Sequence, residues 1–329
     1  MSNIVIFKQT GGPEVLEIIS ADVPAPGADE IQIRVRALGL NRAESMYRSG
    51  AYLIEPEYPA KLGYEAAGVV EAVGKDVTDF APGDAVSVIP AFAFSEYGLY
   101  GELVNAPARA VVKHPQQLSF EDAAASWMMF VTAWGALIEL GHLSAGQNVV
   151  IRAASSSVGI AAIQIANQIG ACPIALTRTN AKREMLLNAG AAVVIATDEC
   201  DVLGALNEAT AGQGAHIVFD PVGGEGAADI IRGMAFEGTY FQYGALDSGN
   251  LSVPVMDLLG KHLTLRGYEL FEITLDDVKL ERAKQFISDG LNRGSLRPVI
   301  DRVFPFADIV EAHRYLEANG QTGKIIVTV

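Results

Sequence analysis

The segment Ala153-Ala154-Ser155-Ser156-Ser157-Val158-Gly159 lies between a short Val/Ile run, Asn148–Arg152, and an apolar stretch of helical period, Val158–Ile169. Small residues at such a strand-to-helix turn let the backbone approach a phosphate, and the helix N-terminus favours negative charge. The chemistry suggested is the grip of a dinucleotide pyrophosphate. On the G-x-G-x-x-G template the glycine positions fall on Ala154, Ser156 and Gly159, so only the third, which lets helix pack closely on strand, is a glycine. The hydroxyls of Ser155, Ser156 and Ser157 can donate to phosphate oxygens. A plain serine N-cap is the alternative, and the strand–turn–helix context favours the pyrophosphate.

About twenty residues beyond that turn, the end of the next strand separates two cofactors: an acidic side chain binds the ribose hydroxyls of NAD, whereas Arg or Lys accommodates the 2′-phosphate of NADP. The chain reads Thr177-Arg178-Thr179-Asn180-Ala181-Lys182 there, with no acid between Ile174 and Arg183. NADPH is therefore the expected cofactor, held by Thr177, Arg178 and Lys182. Exposed cations near a helix start are also common as solvated side chains.

The elements around these residues follow a regular order. Strand Asn148–Arg152, helix Val158–Ile169, strand Pro173–Leu176, helix Ala181–Asn188, strand Ala192–Ile195, helix Asp201–Ala209 and strand Ile217–Asp220 continue into helix Glu225–Met234, strand Thr239–Tyr243 and a last run, Leu263–Arg266. This alternation predicts a doubly wound Rossmann domain with a parallel six-stranded sheet and right-handed crossovers. Gly244 follows the strand Thr239–Tyr243, at a carboxyl end where backbone approaches a ligand; an ordinary turn glycine is the alternative. The first third is punctuated differently, with apolar runs Ile31–Leu38, Gly68–Val73 and Ala85–Ile89 between Gly/Pro turns, which indicates a β-rich domain. Amphipathic stretches Asp276–Ile287 and Ile309–Glu317 and a closing strand Gly323–Val329 suggest that the tail returns to it. The expected class is α/β, with one domain over 1–123 completed by 268–329 and a dinucleotide-binding domain over 124–267.

Composition supports two packed domains. The 329 residues are 50% hydrophobic and 19% charged, which excludes a disordered chain. The net charge of −15 makes nucleic acid and anionic membrane poor partners. Two cysteines, Cys172 and Cys200, cannot build a disulfide framework or a cysteine-rich zinc site, and a cytoplasmic setting is expected. The five histidines, His114, His142, His216, His262 and His313, show no metal-ligand spacing.

The strings Gly39-Leu40-Asn41-Arg42-Ala43-Glu44-Ser45-Met46-Tyr47-Arg48-Ser49-Gly50-Ala51-Tyr52, Leu62-Gly63-Tyr64-Glu65-Ala66-Ala67-Gly68-Val69-Val70 and Gly83-Asp84-Ala85-Val86, the serine turn, and Thr322-Gly323-Lys324 together resemble the medium-chain dehydrogenase/reductase superfamily, in its zinc-free quinone oxidoreductase (zeta-crystallin-like) branch. The resemblance covers essentially the whole chain and implies a GroES-like catalytic domain and a homodimer joined through Rossmann domains. The zinc-bearing alcohol dehydrogenases of that superfamily carry a Cys where this chain has Asn41 and a His where it has Tyr64. Their four-cysteine lobe has no counterpart in Pro90–Val104, so no metal is expected. Ser156-Ser157 replaces the branch's usual glycine pair.

The resemblance also supplies candidate catalytic residues. Asn41 stands at an active-site position where its amide could donate to an acceptor oxygen, although Asn41-Arg42-Ala43-Glu44 equally reads as a capping box. Tyr52 matches a tyrosine of the substrate cleft, and a phenol of ordinary pKa about 10 is a donor at neutral pH. Tyr47 and Tyr64 are further candidates, with packed core tyrosines as the alternative. Arg266 ends the last Rossmann strand and is either a site residue or half of a salt bridge. Thr132 is placed near the nicotinamide.

Without a metal to polarise a carbonyl, simple alcohols become poor substrates, and the acceptor must already be electron-poor. The expected reaction is NADPH-dependent hydride transfer to a quinone or other activated small-molecule acceptor. Two alternatives stand beside it: an enone or enoyl-thioester double-bond reductase in which Tyr52 assists protonation at the α-carbon, and a non-catalytic NADPH-binding structural or regulatory protein.

Overall fold

The computed structural model describes residues 1–329. It divides into two compact units, Met1–Met128 with Lys284–Val329, and Met129–Ala283.

The first unit is built on strands β1 (Ser2–Phe7), β2 (Glu17–Ala21), β3 (Glu30–Gly39), β4 (Ala60–Lys61), β5 (Glu65–Val73), β6 (Ala85–Val88), β7 (Leu103–Pro107) and β8 (Val111–Lys113), with helix α1 (Arg42–Ser49) following β3. Helix α2 (Phe120–Trp134) begins in this unit. The second unit carries strands β9 (Asn148–Ile151), β10 (Cys172–Thr177), β11 (Val193–Ala196), β12 (Ala215–Asp220), β13 (Met234–Gln242) and β14 (Thr264–Gly267). Its helices are α3 (Ser157–Gln168), α4 (Arg183–Asn188), α5 (Val202–Ala209), α6 (Ala227–Arg232), α7 (Val255–Gly260) and α8 (Phe271–Thr274). Helix α9 (Asp277–Arg293) leads back to β15 (Ile300–Pro305), α10 (Ile309–Glu317) and β16 (Lys324–Thr328).

The six strands of the second unit lie in the order β11-β10-β9-β12-β13-β14, and every pair is parallel. Val150, Ile174, Leu176, Ile195 and Val218 pack there against Leu206, Ile230 and Ile231 in one apolar core. In the first unit the order is β15-β16-β3-β5-β6-β8, with β7 pairing β3, beside a small sheet β2-β1-β4. The tail does return: β16 pairs antiparallel with β3, Val327 opposite Leu38.

Several element limits differ from those expected. Helix α6 stops at Gly233, whose N–H still bonds back to Asp229 and Ile230. Met234 therefore opens β13, buried opposite Ala215, instead of closing a helix. The unit limits fall inside helices. Ala123, Ala124 and Ala125 of α2 pack on Ala37, Ala67 and Ile326, which ties the start of α2 to the first unit. Tyr268 bonds through its N–H to Gln242 and sets its ring edge-on to Phe241, which ties the segment after β14 to the second. The continuous helix Phe120–Leu140 is long and apolar enough to cross a membrane, but 78% of its apolar window is buried inside the protein, as for a core helix.

Candidate active site

Strand β9 delivers the serine turn. Ala153 takes φ +51°, uncommon for a residue with a side chain, and Ser156 N–H bonds back to the Ala153 carbonyl at 2.9 Å. Ser156 caps α3, its Oγ accepting from Gly159 N–H at 3.1 Å, so the capping alternative is realised at the position expected for a pyrophosphate. A Cβ on Gly159 would lie 2.6 Å from Ala154 Cα and its carbonyl oxygen, so only glycine lets the helix approach the strand this closely. The Lys182 ammonium donates to Ser155 Oγ at 3.4 Å, joining the two halves of the expected cofactor site. Half-buried Ser157 and Val158 complete the turn, Thr177 ends β10 half-buried, and Arg178 beyond it is exposed. Gly244 follows β13, and its carbonyl accepts from Gln242 Nε2 at 2.6 Å. Thr132 is buried on α2.

Four residues of this region escaped sequence reasoning. Arg152 donates to Asp220 Oδ2 at 2.9 Å and to the Gly223 carbonyl at 2.6 Å. The fully buried Asp220 also accepts from Val222 N–H and the Tyr240 hydroxyl. A cation ending an apolar strand signals a partner that burial demands, but not its identity. Tyr243 stacks on Phe219 at 3.9 Å. Its hydroxyl is buried beside Ser156 without a hydrogen bond of ordinary geometry, and burial pushes its pKa up.

The first unit gathers the other candidates into two adjoining clusters. One is polar. Asn41, at the junction of β3 and α1, offers its N–H to Glu44 Oε2 at 2.7 Å, half of the capping box read from sequence. Glu44 is fully buried and also accepts from Tyr64 N–H at 3.1 Å and from the Tyr100 hydroxyl at 2.7 Å. Burial pushes its carboxyl up to about 7, against those donors. Asn41 Nδ2 donates to the Gly39 carbonyl at 3.1 Å and to Glu44 Oε1 at 3.4 Å, while Asn41 Oδ1 accepts from the Lys324 ammonium at 2.6 Å. Lys324 is ion-paired with Glu65, both fully buried, and Glu65 Oε2 accepts from Met128 N–H at 2.8 Å. A Cβ on Gly39 would sit 2.3 Å from the Ala124 carbonyl and 2.6 Å from Glu65 Oε1, which explains the glycine two residues before Asn41.

The second cluster is aromatic. Phe94 lies between Tyr64 and Tyr47, stacked on them at 3.7 and 4.5 Å, and meets Tyr52 edge-on at 5.9 Å. The three candidate tyrosines thus converge on one ring that no sequence signal identified. Tyr47 and Tyr64 are fully buried and Tyr52 is half-buried. Arg266 belongs to the second unit and is ion-paired with Glu272, the salt bridge weighed as its alternative. No three His, Cys, Asp or Glu side chains gather as a metal site.

Two family models match the chain, one described as an alcohol dehydrogenase GroES-like domain over residues 27–116 and one as a zinc-binding dehydrogenase over residues 157–283. Human quinone oxidoreductase is 30% identical over 319 residues, 96% of this chain and 94% of that protein. The crystal structure of Escherichia coli quinone oxidoreductase complexed with NADPH matches with TM-score 0.90 at 28% identity, over 99% of this chain and 100% of that one. A structure named NAD-dependent alcohol dehydrogenase matches with TM-score 0.90 at 29% identity, over 99% of each chain. Likeness of fold therefore does not choose between the two dinucleotides.

Proposed function

Since the chain belongs to the medium-chain dehydrogenase/reductase superfamily, in its quinone oxidoreductase branch, and is an oxidoreductase, we propose that it is NADPH-dependent, works without zinc and reduces quinones or similarly activated acceptors. The observation that carries this reading is the side-chain chemistry at the two positions where the zinc enzymes hold their metal. Asn41 is built into hydrogen bonds with Lys324, Gly39 and Glu44, and Tyr64 is stacked on Phe94.

The second unit fits a phosphorylated dinucleotide. Ser155, Ser156 and Ser157 present hydroxyls at the N-terminus of a twelve-residue helix, Lys182 already touches Ser155, and the buried Tyr243 hydroxyl beside the turn lacks an ordinary partner. When bound, NADPH supplies a hydride. The turn and helix end would hold the pyrophosphate, Thr177, Arg178 and Lys182 would hold the 2′-phosphate, and Thr132 and the Gly244 backbone would border the nicotinamide. On the acceptor side, the Tyr52 phenol donates to the oxygen that gains charge, and the rings of Tyr47, Tyr64 and Phe94 form an apolar wall. Cys172 and Cys200 are free thiols, which suits a cytoplasmic protein. A homodimer would form at the edge strand β14, which pairs only with β13.

NADPH oxidation, followed against a panel of quinones, enones and enoyl thioesters in chelator, tests the reading. Turnover with quinones, undiminished by the chelator, is expected. Turnover with enones alone would turn the assignment to double-bond reduction, and cofactor-induced thermal stabilisation without any turnover would make the chain a binding protein. One tightly held metal ion per subunit, whose removal abolishes turnover, would overturn the zinc-free chemistry.

A further inference from the structure

Lys324 is an ammonium group 1% exposed, near the C-terminal end of the chain, and its pairing with Glu65 is among the most deeply buried ion pairs in the protein. Taking two such charges out of water costs several kcal/mol per ion, and well-packed apolar residues of similar volume often stabilise a fold equally well. Stability alone gives no reason for the pair. Its contacts give one, because the same ammonium donates to Asn41 Oδ1 at 2.6 Å.

A side-chain amide can sit in two orientations that differ by exchange of its oxygen and nitrogen. At Asn41 both ends are specified. The oxygen meets a cation, and the nitrogen meets the Gly39 carbonyl at 3.1 Å and Glu44 Oε1 at 3.4 Å. A turned amide would set its NH2 group against the ammonium and its oxygen against a carbonyl and a carboxylate. The long bond to Glu44 leaves one amide hydrogen weakly held, and the cation on the oxygen draws electron density from the nitrogen, making that hydrogen a stronger donor.

We propose that Lys324, balanced by Glu65, is a positioning residue for the reaction, fixing the Asn41 amide with its nitrogen as the donor to the acceptor oxygen and strengthening that donor. The inference rests on the function proposed above. It makes the Thr322-Gly323-Lys324 motif part of the acceptor site, although Lys324 touches neither acceptor nor cofactor.

The test uses the full-length protein with Lys324→Met and Glu65→Gln combined, so that no lone charge is left buried, together with Lys324→Arg and Asn41→Ala. With a quinone, the double variant is expected to keep its NADPH dissociation constant within about twofold and lose at least about tenfold in kcat. Lys324→Arg should restore part of the loss. In the Asn41→Ala background the same double change should cost nothing further, because the residue through which Lys324 acts is gone. Additive losses, or an unchanged kcat, would overturn the proposal. The Asn41 side-chain amide provides a readout independent of turnover: its NMR resonances should shift and its hydrogen exchange accelerate in the double variant. Unchanged resonances would overturn the role of Lys324 even if no acceptor is found, whereas failure of the wild type on every acceptor overturns the assigned activity and leaves the amide measurement decisive for Lys324.

Discussion

Arg178 and Lys182, proposed above to hold the 2′-phosphate, differ in setting. Lys182 is half-buried on Ser155, whereas Arg178 reaches into solvent. Hydrogen bonds to a charged group contribute about 1.5–3 kcal/mol each. The pair Arg178→Ala with Lys182→Ala should therefore weaken NADPH by about 100-fold while changing NADH by less than about threefold, as read by fluorescence titration. Equal loss for both would show that these cations do not read the phosphate. Tyr52 permits a cleaner substitution, since Tyr52→Phe keeps the ring against Tyr47 and Phe94 and removes only the hydroxyl. A positioned proton donor contributes roughly 10²- to 10⁴-fold. A fall in kcat of at least about 100-fold with unchanged NADPH affinity is expected, and an unchanged kcat would remove Tyr52 from the chemistry.

Helices α1 and α10 are joined by a chain of buried polar groups. The Arg48 guanidinium, which can only donate, lies 3.3 Å from His313 Nδ1, so Nδ1 accepts. The Nε2 proton then points to the Tyr100 oxygen at 3.3 Å, and the Tyr100 hydroxyl donates to Glu44. Burial, with Arg48 and Arg42 nearby, pulls His313 down to about 3 from its ordinary 6.5. The unfolded chain takes up that proton first, so His313 leaves stability intact above about pH 6.5 and erodes it as pH falls toward 3. Glu44 works the other way. Raised from 4.5 to about 7, it stabilises below 4.5, and that contribution is lost as pH rises through 7. The two slopes oppose each other between 4.5 and 6.5. His313→Gln should uncover the Glu44 slope, so that urea unfolding shows the variant losing stability relative to wild type as pH rises from 4.5 to 6.5. A constant difference across that window would refute the scheme. Such links also mark what the sequence can show. The capping of Asn41 by Glu44 spans three positions and was legible, as was the strand–helix alternation from Asn148 onward, because each strand of a parallel sheet must be followed by a crossover. Lys324 on Asn41, Arg48 by His313 and Phe94 between Tyr47 and Tyr64 join distant stretches of chain, and no local periodicity encodes them. Lys324 was visible within a motif, but its burial was not.

At the scale of the whole molecule, the six-stranded sheet ends at β14, whose outer edge is unpaired within the chain, a condition that soluble proteins cover or blunt. The helix before it, α7, exposes Val255, Met256 and Leu259 at 58%, 79% and 62%, and Phe236 on β13 is 59% exposed. A second copy related by a two-fold axis would pair β14 with itself and cover these side chains in one self-complementary contact. The net charge of −15 on each chain opposes that association through a repulsion that salt screens over about 10 Å at 0.1 M. The dimer should therefore tighten as ionic strength rises, contrary to an interface held by ion pairs. Sedimentation equilibrium at about 0.05 M and about 0.5 M salt should show a dimer in both, with the smaller dissociation constant at high salt. Met256→Glu with Leu259→Glu places two like charges per copy at the contact and should shift the protein to monomer, most strongly at low salt. NADPH binding should survive, since neither residue belongs to the serine turn. A wild-type monomer at both salts, or a dimer indifferent to both substitutions, would move the interface away from α7 and β14.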